Sequence, residues 1–149
     1  MCPQMEILKD KDVWIADSGA TSHNTPHDIG VHSVQKPWTS DNVTVGNGAE
    51  TSASKVGTIN GSMYDKNGQL KIRNASLKDV IVLPGSKFNL ISIPVFLEKG
   101  WQLTGDSEKV KLVKDGVELL FDMTIKTKRG ALHCMNFKRE ILKKGNYHE

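Results

Sequence analysis

Asp17 stands directly behind an apolar run in "VWIADSGATSHNT", residues 13–25, and is followed by Ser18, Gly19 and the small Ala20. A carboxylate placed against a buried strand needs a partner, a shifted pKa or a task, because burying an unpaired charge is expensive. The triplet Asp-Ser-Gly is weak evidence alone: by chance it, or its threonine equivalent, arises in roughly one chain in twenty of this length. Its bland reading is a turn in which Asp and Ser bond the local backbone and Gly accepts positive φ. The apolar lead-in and Ala20 favour a loop set inside the protein with its carboxylate aimed at a cleft. Peptide hydrolysis by carboxylates alone takes two of them sharing one proton, one activating water while the other hydrogen-bonds the carbonyl. No obvious second carboxylate partner is found elsewhere in the chain. A two-fold symmetric dimer would supply it as a second Asp17 at the axis.

Other constellations are poorer candidates. His23, His27 and His32 fall within ten residues, but Pro26 and Gly30 interrupt them and no helix presents them together, so loop packing is favoured over zinc. No metal or cofactor is expected. "VGNGAE" lacks the lysine and hydroxyl of a phosphate-cradling loop, and no long helix follows it. Cys2 and Cys134 have neither zinc-finger spacing nor a disulfide framework, and read as free thiols in a reducing compartment. Trp14, Trp38 and Trp101 are expected as core or interface anchors.

The elements that must position Asp17 are short apolar runs broken by turn residues. "VWIA" reads as a strand, and "NVTVGNGAETSASKVG" as two strands around Asn47-Gly48. "QLKIR" alternates; "VIVL" is a buried-type run ended by Pro84-Gly85. "NLISI" is a short buried run, and "PVFLEKG" a short helix opened by Pro94 and stopped by Gly100. "WQLTG" and a "VKLVKDGVELLF" hairpin around Asp115-Gly116 return to strand. The pattern is all-β with one short helix: a small barrel or sandwich. At 149 residues, 38% hydrophobic and 25% charged, the chain is sized for one soluble domain. A net charge of +3 does not argue for a nucleic-acid partner. No run approaches the roughly 18 apolar residues of a membrane span, and nothing resembles a signal peptide, so a cytoplasmic protein is expected.

"WIADSGATSHNT" resembles the protease of copia (Ty1)-type long-terminal-repeat retrotransposons, relatives of the retroviral aspartic proteases. The resemblance continues in order. "VTVGNGAE" is similar to the hairpin that forms the flap, "LKDVIVLPGSKFNLISI" to the family's strand, proline and Asn-Leu-hydrophobic-Ser stretch, and "FLEKGWQLTG" to its helix and following strand. It implies a small closed β-barrel of retropepsin type, active as a homodimer. Asp17 would then be catalytic, Ser18 would brace the loops across the axis, and Gly19, with Ala20 beside it, would let substrate approach. Val43 to Ser54 would form the flap, with Val45, Gly46, Asn47 and Gly48 around its tip. Asn89, Leu90 and Ile91 would support the loop and line the cleft. His23 fits a position where histidine is usual in this family.

Departures accompany the likeness. Retroviral enzymes carry glycine at the place of Ser92, and an aspartate–arginine ion pair where this chain has Thr21 and Ile93; losing both partners avoids an unpaired charge. The hairpin at 109–121 is expected to contribute to dimer contact. The chain divides by this reading into a lead-in (1–12), a protease core (13–104), a β extension (105–135) and a basic tail or polyprotein linker (136–149), "GALHCM" resembling a motif that precedes integrase in copia elements. The implied function is a homodimeric aspartic endopeptidase processing the Gag-Pol polyprotein, within virus-like particles. Its rival is an inactive or domesticated retropepsin-like module for dimerisation or peptide binding.

Overall fold

A computed structural model describes residues 6–35, 42–44, 50–52 and 55–141. The strands are β1 (Val13–Asp17), β2 (His23–Thr25), β3 (Val31–Gln35), β4 (Asn42–Thr44), β5 (Glu50–Ser52), β6 (Lys55–Tyr64), β7 (Leu70–Val82), β8 (Asn89–Ser92), β9 (Gln102–Gly105), β10 (Val110–Lys114), β11 (Val117–Phe121), β12 (Met123–Thr127) and β13 (Gly130–Arg139), with a short helix α1 (Ile93–Glu98) between β8 and β9. Six strands close a barrel in the order β13-β1-β8-β2-β7-β6 and back to β13; β12 flanks β13 and β3 flanks β6. The all-β barrel with one short helix agrees with the sequence pattern. A separate sheet, β11-β10-β9, packs on the barrel.

Strand periodicity sorts the side chains into two cores. Trp14, Ile91, Met135 and Phe137 point into the main core with Ile59, Met63, Leu77 and Val80. Their neighbours Val13, Ile15, Leu90 and Cys134 face the other way, into a second cluster completed by Leu8 and Ile125. Both faces of β1 and β8 are therefore apolar, which is why "VWIA" and "NLIS" read as continuous runs instead of alternating ones. Burial pushes the Cys134 thiol up to about 12, so it stays protonated and inert.

Turn chemistry falls where it was expected at Asp115 and Gly116, whose φ values of 52° and 81° form the left-handed pair of a tight hairpin. Leu112 and Phe121 of that hairpin are fully buried in the barrel's own core, so its apolar face is used within the protomer. Residues 42–44 pair antiparallel with 50–52. The expected tip, Val45, Gly46, Asn47 and Gly48, lies outside the described residues. "QLKIR" and "VIVL" are not two strands but the ends of β7, which continues through Asn74 and Asp79 by placing both at positive φ, with shifts in its pairing to β6.

The tail expectation is corrected over residues 136–139. They form the end of β13, with Asn136 opposite Val13 on one edge and Tyr64 on the other, and Arg139 opposite Gly61. Gly61 is required there, since a β-carbon would collide with the Lys138 carbonyl. Arg139 is 5% exposed. Its Nε donates to the Lys11 carbonyl (2.8 Å), Nη1 to those of His27 (2.8 Å) and Ile29 (2.7 Å), and Nη2 to Thr25 Oγ1 (2.8 Å) and Asn89 Oδ1 (3.2 Å). All five guanidinium donors are thereby satisfied, and its plane lies 5.3 Å from the Trp14 ring centroid. Burial pulls its pKa down to about 10, opposed by the charges of Asp12, Asp10 and Asp28. Asn89, fully buried, extends the network by donating to the carbonyls of Asp10, Lys11 and Val13.

Arg139→Met should cost on the order of 3–5 kcal/mol in urea unfolding, because it strips donors from two buried and three part-buried acceptors at once. Arg139→Lys should recover little, since an ammonium cannot reproduce the planar fork. A loss under about 1 kcal/mol for the methionine variant would show that the network is not what holds β13 to the rest.

Candidate functional site

The position of Asp17 follows from the strand order. β8 lies between β1 and β2, parallel to β1 and antiparallel to β2. β1 therefore cannot turn directly into β2; the intervening residues 18–22 must cross over the end of β8. Asp17 closes β1 directly opposite Ser92, the last residue of β8. The loop carrying the Asp-Ser-Gly triplet is thus an arch with Ser92 beneath it.

Three hydrogen bonds make Ser92 the support of that arch. Its Oγ donates to the Ala20 carbonyl at 2.6 Å and accepts from the Val95 amide at 3.2 Å, capping α1. Its own amide donates to His23 Nδ1 at 2.9 Å. Ser92 is fully buried and His23 is 2% exposed. Because the Ser92 amide can only donate, Nδ1 must be unprotonated and the imidazole carries its hydrogen on Nε2. Burial, with Lys99 adding to it, lowers the His23 pKa from 6.5 to about 4. The ring also packs on Phe96, with centroids 5.2 Å apart.

Above this support the triplet faces outward. Asp17 is half-buried, Ser18 and Gly19 are exposed, and Asp17 Oδ1 accepts the Gly19 amide at 2.8 Å. That bond is the local turn which Asp-Ser-Gly suggests, but Gly19 is not among the positive-φ residues. A β-carbon there would lie 3.4 Å from Asp17 Oδ1, an ordinary contact, so the fold of the single chain does not itself demand glycine at this place. Among the described residues, no second carboxylate is hydrogen-bonded to Asp17. The carboxylate is presented to solvent by a single chain.

The residues expected beneath the loop divide between two levels. Leu90 and Ile91 pair with Ile15 and Ala16 and are buried in the two cores, so they carry the floor of the arch. Asn89 pairs with Trp14, three positions before Asp17, and its amide serves the opposite end of β1. Ile93, at the place of the retroviral arginine, is core. His27 Nε2 lies 3.1 Å from the Lys9 carbonyl and His32 Nδ1 2.9 Å from Ser33 Oγ, so the three histidines serve separate local contacts. An apolar cavity of about 220 Å³, bordered by Met63, Leu77, Phe96, Trp101, Leu119 and Phe137, lies between barrel and hairpin and does not include Asp17. Ser92 and Arg139 are the structural residues that sequence reading undervalued. Ser92 carried a signal, its fixed place after Asn-Leu-Ile, whereas Arg139 sat unmarked in a basic stretch.

The neutral His23 sets a sign for acid stability. Its folded pKa lies below its ordinary value, so its contribution is complete above about pH 6.5 and is lost as pH falls towards about 4. The loss should reach about 3 kcal/mol across that window. Urea titrations from pH 7.5 to 4 should show this slope in the wild type and a shallower one in His23→Asn; parallel slopes would assign the acid sensitivity to other groups.

Over residues 14–101 the chain matches the family described as the Pol polyprotein β-barrel domain, and that span is more than half of its length. No curated protein and no solved structure matches it. The matched residues hold the Asp17 arch, its support in Ser92 and five of the six barrel strands. The chain belongs to the Pol polyprotein β-barrel family and is a retroelement Pol-related protein.

Proposed function

We propose that the protein is an aspartic endopeptidase that works as a homodimer and cuts its own element's Gag-Pol polyprotein. The observation that carries this reading is the arch itself: a carboxylate at a strand end, held from below by a buried serine and turned outward beside an exposed Ser18 and Gly19. A simple turn is served by the one carboxylate oxygen that accepts the Gly19 amide, and does not call for the buried serine that fixes the loop from beneath. Two arches meeting at a two-fold axis would place the two Asp17 carboxylates together. A water between them loses a proton to one carboxylate as it attacks the scissile carbonyl, while the other, protonated, hydrogen-bonds the carbonyl oxygen. The substrate would lie extended across the axis, as strand-like peptides do in sheet-lined sites, beneath a flap formed around residue 47. The setting implied is the cytoplasmic virus-like particle.

Co-expression of the chain with its flanking polyprotein segments, for wild type and Asp17→Asn, tests this directly. Discrete fragments from wild type alone are expected. Because the dyad must hold one proton, cleavage should be fastest on the acidic side of neutral and fall as the pair loses it. A flat rate from about pH 4 to 9 would remove the shared-proton mechanism. Uncut polyprotein with a folded, dimeric wild type would transfer the assignment to a dimerisation or peptide-binding module.

A further inference from the structure

We propose that His23 is a positioning residue for the Asp17 carboxylate, acting as a fixed acceptor that locks Ser92 under the active-site arch. The proposal rests on the protease reading for its kinetic consequence, but its structural content stands on contacts alone. Ser92 is the last residue of a strand enclosed on both sides, and its amide has no carbonyl opposite it on β2, because the chain there is still crossing from the arch. A buried amide without an acceptor is costly. His23, the first residue of β2, supplies the acceptor from its side chain at 2.9 Å. With the amide held, the hydroxyl has one geometry left. Its single proton goes to the Ala20 carbonyl and its lone pair takes the Val95 amide.

The relay is short: imidazole to amide, the same residue's hydroxyl to a loop carbonyl, and that carbonyl three residues from Asp17. A histidine suits the post because its ring is rigid and is packed against Phe96 of α1, so the acceptor cannot swing away. β7 contributes only the apolar Val80 opposite it. In the proposed dimer two such relays would set the separation of the two carboxylates, and small errors in that geometry are expensive for catalysis.

The discriminating variants are His23→Asn, His23→Gln and His23→Leu in the full chain. An asparagine Oδ1 stands as many bonds from the backbone as imidazole Nδ1, whereas a glutamine oxygen stands one bond farther. On a polyprotein segment that wild type cuts, His23→Asn should keep kcat within about threefold. His23→Leu and His23→Gln should lose about tenfold to a hundredfold in kcat with KM nearly unchanged, since the substrate-binding surface is untouched. Equal kcat for Asn and Gln, or wild-type kcat for a folded His23→Leu dimer, would overturn the proposal. If His23→Leu does not fold, the Asn–Gln comparison decides alone. Should wild type cut nothing, the protease reading fails and amide hydrogen exchange still decides the relay. Ser92 exchange should be slow in wild type and His23→Asn and at least about tenfold faster in His23→Gln; equal exchange in all three would overturn it.

Discussion

Everything about the candidate site depends on four residues, Asn89 to Ser92, being driven between two strands that are otherwise consecutive. The insertion forces the chain after β1 to arch over a strand end instead of turning tightly. It buries β8 on both faces and both edges, so each polar group of those residues must be satisfied by protein. Asn89 and Ser92 meet that demand at opposite ends, Asn89 through the carbonyls of residues 10, 11 and 13 and Ser92 through Ala20, Val95 and His23. Leu90 and Ile91 fill the middle, one into each core. The order polar, apolar, apolar, polar thus reports a strand pinned at both tips.

The two pinned ends differ in kind. At the arch end the partners are neutral, and the one ionisable member, His23, is kept uncharged by burial. At the other end a full positive charge is buried and held by neutral oxygens, with Asp12 close by accepting the Arg139 amide at 2.9 Å. A buried ion without a paired carboxylate is tolerated when every donor is used. The barrel thereby sets its buried charged network at the end where residues 10–12 meet Arg139, while the groups bonded to Ser92 beneath the arch are neutral.

Much of this was legible beforehand, and for identifiable reasons. Short strands betray themselves by apolar runs bounded by turn residues, so β1, β8 and the β10–β11 hairpin were readable, as was the helix opened by Pro94. Asp17 stood out because a carboxylate after "VWIA" violates simple burial. What could not be read was long-range pairing. Nothing local to "ALHCMNFKR" states that it closes the barrel, because its alternation is diluted by Asn136 and Lys138, whose outward positions look like a solvated tail. The family match ends at residue 101 as well, short of the sixth strand. The role of His23 was equally hidden, since acceptor duty depends on a partner 69 residues away. Likewise β7 looked like two strands because Asn74 and Asp79 interrupt it, and only its pairing with β6 shows that it runs through them.

The joining of residues 10–12 to Arg139 has a mechanical meaning for the barrel. Residues 11 and 12 lie beside Arg139, about 16 Å along β1 from Asp17 at the usual rise per strand residue. A pull applied at residues 10–12 and 139 would be taken up by the backbone and guanidinium hydrogen bonds between them before it reached the arch. The loop at the far end of β1 keeps its geometry as long as that junction holds.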